Sequence, residues 1–165
     1  MAASRTLVVA DSGPLIALAG ADCLPALHAL FARVLMPTIV RDEIAAPPPG
    51  RPGAAAVLAS TWLEVIDPPA QTDPFLSGAL DQGEAAVIAV ARSIEGAMVL
   101  IDEKRGRRVA ATAYRLEVVG TAGVLVRAKA AGLVPVVGPI LKRIVENGYF
   151  LSERLVRETR VIAGE

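Results

Sequence analysis

Short aliphatic runs alternate along this chain with longer helix-compatible segments, and that alternation limits the fold more than any other feature. The runs are residues 6–10 (TLVVA), 34–36 (VLM), 63–66 (LEVI), 97–101 (AMVLI) and 117–119 (EVV). Helical patterns fall between them, near 24–32, 38–46, 53–61, 83–95 and 104–115. Strand–helix–strand order calls for parallel pairing. Nearly continuous apolar strands are those covered on both faces, so the expected fold is an α/β/α sandwich on a central, mostly parallel sheet. Three further helical segments, roughly 121–131, 138–147 and 151–162, extend it at the C-terminal end, broken by Gly132-Leu133-Val134-Pro135 and Asn147-Gly148. The stretch from Pro47 to Gly53 reads as an exposed loop, and 165 residues suit one domain spanning 1–165.

Composition excludes several chemistries. One cysteine, Cys23, rules out an internal disulfide and a multi-cysteine metal site; one histidine, His28, rules out a His-rich zinc site. Any metal would need oxygen ligands. No apolar run approaches the ~20 residues of a spanning helix, and no signal-like N-terminus is evident, so a cytoplasmic protein without a membrane partner is expected. Cys23 reads as a small buried residue, Trp62 as core, and His28 as a partly buried residue on a surface helix.

The formal charge of zero conceals an asymmetry. Residues 1–103 hold 5 basic and 12 acidic side chains, whereas 104–165 hold 12 basic and 5 acidic. Either the halves neutralise one another locally, or an acidic centre is faced by basic segments, as holding a cation beside a polyanion requires.

The acids fall at telling places. Asp11 ends the run LVVA, and Asp102, followed by Glu103, ends AMVLI. In an open parallel sheet ligands bind beyond the carboxyl ends of the strands, where both would sit. In MPTIVRDEIAA, Glu43 lies beside the stripe of Ile39, Val40 and Ile44, while Asp42 points elsewhere. In LDQGEAAVIAVA, Asp81 and Glu84 stand at the start of an apolar helix. Each acid also suits a helix cap or first turn. Four separate elements nevertheless direct acids toward one edge. Such a cluster raises its own pKa values unless a cation neutralises it, and oxygen-only ligands suit Mg²⁺ or Mn²⁺.

The segments VVADSGPLIAL, MPTIVRDEI, LDQGEAAVIAVA and VLIDEKRGRRVA, in this order and followed by GTAGVLVRAKAAGLVP, resemble the PIN-domain nucleases, specifically a prokaryotic subfamily related to VapC-type toxins. The resemblance covers roughly residues 6–160. It implies a metal-dependent ribonuclease fold in which Asp11, Glu43, Glu84 and Asp102 are the catalytic, metal-binding acids. Asp81 competes with Glu84 for the third place, and Glu103 either adds a ligand or flanks the site. Ser12 would support a neighbouring carboxylate. The expected reaction is Mg²⁺- or Mn²⁺-dependent hydrolysis of RNA phosphodiester bonds, as an RNA-processing enzyme or the toxin of a toxin–antitoxin pair, with a cognate antitoxin and a homodimer as expected partners. Lys104, Arg105, Arg107 and Arg108 would bind RNA phosphates, or else form a solvated helix face, with Arg108 alternatively pairing with a site carboxylate. The second reading is a catalytically weak PIN-fold module that binds RNA or protein. A third, an aspartyl phosphatase-like hydrolase, is disfavoured because Gly13 stands where such enzymes commonly carry a second Asp.

Overall fold

The computed structural model describes residues 6–46 and 50–165, which leaves the Pro47-Pro48-Pro49 part of the expected loop outside the described residues. Five strands, β1 (Leu7–Ala10), β2 (Arg33–Pro37), β3 (Leu63–Ile66), β4 (Met98–Leu100) and β5 (Glu117–Val119), form one sheet in the order β3-β2-β1-β4-β5. Every pairing is parallel, and β1 is central: Val8 is in register with Val34 on one side and Met98 on the other. Helices flank this sheet, giving the expected α/β/α sandwich.

The strands are short and aliphatic because both faces are covered. Val8, Val9, Ala10, Val99 and Leu100 are wholly buried, so no alternation with polar residues is tolerated. Right-handed crossovers put the helices between β1 and β3 on one face and those between β3 and β5 on the other. The first group comprises α1 (Ser12–Gly20), α2 (Leu24–Leu30), α3 (Thr38–Ala45) and α4 (Ala54–Ala59); the second comprises α5 (Pro74–Ala79), α6 (Gln82–Arg92) and α7 (Lys104–Arg108). Helix α6 lies against β1, β2 and β4. Its segment from Gly83 to Ala91 is buried throughout, which explains its unbroken apolar run.

Two local features depart from the sequence pattern. Helices α1 and α5 have no counterpart among the expected segments; Asp73 caps α5 by accepting from the Phe75 N–H, and Pro74 occupies its first position. The helix expected over 104–115 changes at Val109–Ala113 into a π-helical segment, a wider winding that often accompanies functional sites. Helices α8 (Thr121–Ala130), α9 (Gly138–Glu146) and α10 (Glu153–Ile162) complete the fold. Val124, Leu125, Leu141 and Ile144 on α8 and α9 are fully buried and belong to the core, whereas Val145, Leu155, Val161 and Ile162 on α9 and α10 are exposed. Among the described residues no single helix is long and apolar enough to cross a membrane.

The three singled-out side chains have ordinary roles. Cys23 is buried and unpaired. His28 is exposed and stacks on half-buried Trp62, ring centroids 4.9 Å apart, and Trp62 itself packs against the edge of the core.

Candidate active site

The chain passes from β1 to β2 and β3 on one side, then returns across the sheet to β4 on the other side of β1. The crevice beyond the carboxyl ends of β1 and β4 is therefore the topological switch point. Asp11 and Asp102 flank it, with the Asp11 N–H donating to the Leu100 carbonyl at 3.0 Å. Asp11 also caps α1, its Oδ1 accepting from the Ser12 N–H at 2.9 Å. Capping and facing the crevice are thus compatible.

Three more acids reach this region. Asp81 and Glu84 form a capping box at the start of α6: Asp81 Oδ1 accepts from the Glu84 N–H at 2.8 Å, and Glu84 Oε2 accepts from the Asp81 N–H at 3.4 Å. Their exposures differ sharply. Asp81 is exposed, whereas Glu84 is 5% exposed and among the few buried polar residues described. Glu43, half-buried on α3, accepts from the Ser12 hydroxyl at 3.2 Å, so Ser12 does orient a carboxylate from another element. Asp42 is exposed and pairs with Arg41.

Burial is the main electrostatic influence on these acids. It pushes the Asp11 carboxyl up to about 7, opposed by the Ser12 N–H and reinforced by Asp81, Glu43 and Asp102. Glu84 is likewise raised to about 7, by burial first and then by Asp81, Asp11 and Glu103. Glu43 is raised by burial, with Asp81 adding to it and Ser12 opposing. The acids feel one another's charge, which an oxygen-bound cation would offset.

Asp102 is held differently. Its Oδ1 accepts from the Thr121 N–H at 2.7 Å; its Oδ2 accepts from the Thr121 hydroxyl at 2.6 Å and the Tyr149 hydroxyl at 2.5 Å. Sequence reasoning gives neither Thr121 nor Tyr149 a role. Thr121 has a signal, since it lies just past the end of β5 much as Asp11 lies past the end of β1. Tyr149 has none, because it arrives from the loop after α9. Burial and the Asp102 charge raise its phenol, which stays a proton donor.

The neighbouring residues divide by position. Glu103 is exposed and caps α7, its Oε2 accepting from the Gly106 N–H at 2.9 Å. Lys104, Arg105 and Arg108 are exposed, but Arg107 is half-buried and donates to the Ile101 carbonyl at 2.8 Å. Arg108 pairs with no site carboxylate among the described residues. Of the ion pairs described, Arg143 to Asp22 alone joins the acidic and basic halves of the chain.

The donor set fits a hard divalent cation: it is all oxygen and negatively charged. Space is reserved around it as well. A Cβ on Gly83 would stand 2.6 Å from Glu43 Oε1, and one on Gly106 would stand 2.8 Å from Glu84 Oε1. Among the described residues, however, no three His, Cys, Asp or Glu side chains stand together as a group that could hold a metal ion as placed. The acids border a crevice rather than sharing one point.

A family model described as a PIN domain matches residues 7–165. No curated protein and no solved structure matches the chain. The central parallel sheet, the acids at its switch point and a match over nearly the whole length agree: the chain belongs to the PIN-domain family, whose members are generally nucleases.

Proposed function

We propose that this protein is a metal-dependent endoribonuclease that hydrolyses RNA phosphodiester bonds, with Asp11, Glu43, Glu84 and Asp102 holding Mg²⁺ or Mn²⁺. The observation that carries the reading is the gathering of carboxylates from separate elements at the β1/β4 crevice, where Asp11 and Glu84 are each held up to about 7, by burial first and then by neighbouring carboxylates. Buried, uncompensated acids are costly to keep, and a bound divalent cation would remove the cost. When bound, such an ion lowers the pKa of a water and stabilises charge on the leaving oxygen.

The chain's own residues supply position and affinity. Ser12 orients Glu43 from the first position of α1. Buried Glu84 is the better third ligand, while exposed Asp81 serves as its cap and Glu103 as the cap of α7. Lys104, Arg105 and Arg108 are exposed next to the crevice and suit phosphates flanking the scissile bond, giving affinity without sequence choice. Arg107 is better suited to bracing the Ile101 carbonyl.

The finer parts of the proposal are relatedness to VapC-type toxins, a cognate antitoxin, a homodimer and a cytoplasmic location. They rest on the sequence resemblance, and for the dimer also on apolar residues left exposed on the C-terminal helices, such as Val145, Val161 and Ile162. The same reading takes all of residues 1–165 as one domain.

One observation favours the second reading, a PIN-fold module that binds RNA without cleaving it: Asp102 already accepts three protein hydrogen bonds. Incubation of purified protein with structured and unstructured RNAs and Mn²⁺ separates the two. The nuclease reading expects fragments that both EDTA and Asp11→Asn abolish. Intact RNA throughout, with RNA and Mn²⁺ binding retained, would leave the binding module in its place.

A further inference from the structure

Asp102 differs from the other acids of the crevice in having its acceptor capacity largely taken up. A carboxylate offers about two lone-pair sites on each oxygen. On Oδ2 both are occupied, by the hydroxyls of Thr121 at 2.6 Å and Tyr149 at 2.5 Å. On Oδ1 the Thr121 N–H takes one, at 2.7 Å, and one is left.

The two donors come from places with little freedom. Thr121 is fully buried at the start of α8, directly after Gly120. Tyr149 is half-buried and lies against the turn that carries Asp11, since a Cβ on Gly13 would come within 2.9 Å of its phenol oxygen and 3.4 Å of its Cε2. The phenol is therefore wedged between the end of β4 and the start of α1. Among the described residues it hydrogen-bonds no other site acid, so its bond to Asp102 is specific.

We infer that Thr121 and Tyr149 are positioning residues for Asp102: together they fill Oδ2 and leave Oδ1 as the single acceptor that Asp102 presents to a divalent cation. The inference rests on the metal-dependent reading above and adds two residues to it, one from the C-terminal helices. Through Tyr149 the loop between α9 and α10 becomes part of the site. A merely structural role would instead use these bonds to tie α8 and that loop to the sheet, with no bearing on the ligand.

Isothermal titration of the full chain with Mn²⁺ distinguishes the two. Tyr149→Phe keeps the ring and removes the hydroxyl; Thr121→Val keeps the shape and the N–H, and Thr121→Ser restores the hydroxyl. Loss of a group that orients a ligand commonly weakens metal binding by about 10- to 100-fold. Tyr149→Phe and Thr121→Val are each expected to lose on the order of 10-fold in Mn²⁺ affinity, with Thr121→Ser close to the parent and the double variant losing less than the product of the two. A second readout needs no metal: Asp102→Asn should perturb the tyrosine absorption of the parent but not of the Tyr149→Phe background.

Parent-like or tighter Mn²⁺ binding in both Tyr149→Phe and Thr121→Val would overturn the inference, as would lowered melting temperatures with unchanged affinity. If Tyr149→Phe does not fold, the contrast between Thr121→Val and Thr121→Ser carries the same decision. A parent protein that binds no Mn²⁺ would overturn the metal reading and this inference with it, an outcome separate from one in which the parent binds and the variants match it.

Discussion

Glu84→Gln should stabilise the metal-free protein, and the gain should depend on pH. Glu84 is 5% exposed, and its one described side-chain hydrogen bond is a long one of 3.4 Å from the Asp81 N–H. Its carboxyl is raised from 4.5 to about 7 by burial and by Asp81, Asp11 and Glu103. At about 1.36 kcal/mol per pKa unit, ionising it in the folded state costs up to about 3 kcal/mol. Because the folded pKa lies above the unfolded one, the native state holds the proton longer. Stability is therefore greatest below about 4.5, declines as the pH rises toward about 7, and is level above that. Glutamine keeps the shape and does not ionise. Near pH ~8.5 the variant should be more stable by about 2–3 kcal/mol, and near pH ~5 by less than about 1 kcal/mol. For a chain of this size that corresponds to roughly 5–10 °C in melting temperature at the higher pH. Thermal melts in EDTA across this range measure it directly. Saturating Mn²⁺ should then favour the parent over the variant, because the ion compensates the charge that glutamine lacks. A gain that is the same at both pH values, or a loss at the higher one, would refute the account of Glu84 as a buried, uncompensated carboxylate.

Other tests address the rest of the crevice. In Mn²⁺-dependent RNA cleavage, Glu84→Gln should lose far more activity than Asp81→Asn, since Asp81 is an exposed cap; the reverse order would transfer the ligand role to Asp81. Replacing Lys104, Arg105 and Arg108 together by Ala should flatten the salt dependence of single-stranded RNA binding by about 0.7 for each phosphate no longer neutralised, and an unchanged slope would make the cluster a solvated face. Gly120→Ala should disturb both the site and the fold, because its Cβ would stand 2.7 Å from Arg107 Nη1 and 2.8 Å from Asp102 Oδ1. The cost expected from such crowding is about 1–3 kcal/mol, read from urea unfolding.

What can be read from the sequence follows from how local each signal is. Strand boundaries emerge because a sheet buried on both faces demands uninterrupted aliphatic runs, as in Val8 to Ala10. Asp11 and Asp102 stand out because a charge directly after such a run must lie at the sheet edge. Glu43 and Glu84 are visible as acids beside apolar helix faces, but spacing does not rank Glu84 above Asp81; that requires the difference in their burial. Arg107 looks equivalent to its neighbours in KRGRR until its bond to the Ile101 carbonyl distinguishes it. Tyr149 is illegible because its partner is 47 residues away and the intervening helices set the approach.

The pairing of Val8 with Met98 has a consequence for how the protein comes to be made. The strand that flanks the crevice of Asp11 follows it by some 90 residues, with Thr121 and Tyr149 later still. Nascent chains fold from the N-terminus, and pairings this distant in sequence form slowly. A growing chain therefore carries Asp11 without its crevice partners until β4 and the segments after it have emerged. Assembly of the crevice waits until Tyr149 has emerged, so chains that stop short of it lack groups that hold Asp102 in the folded protein.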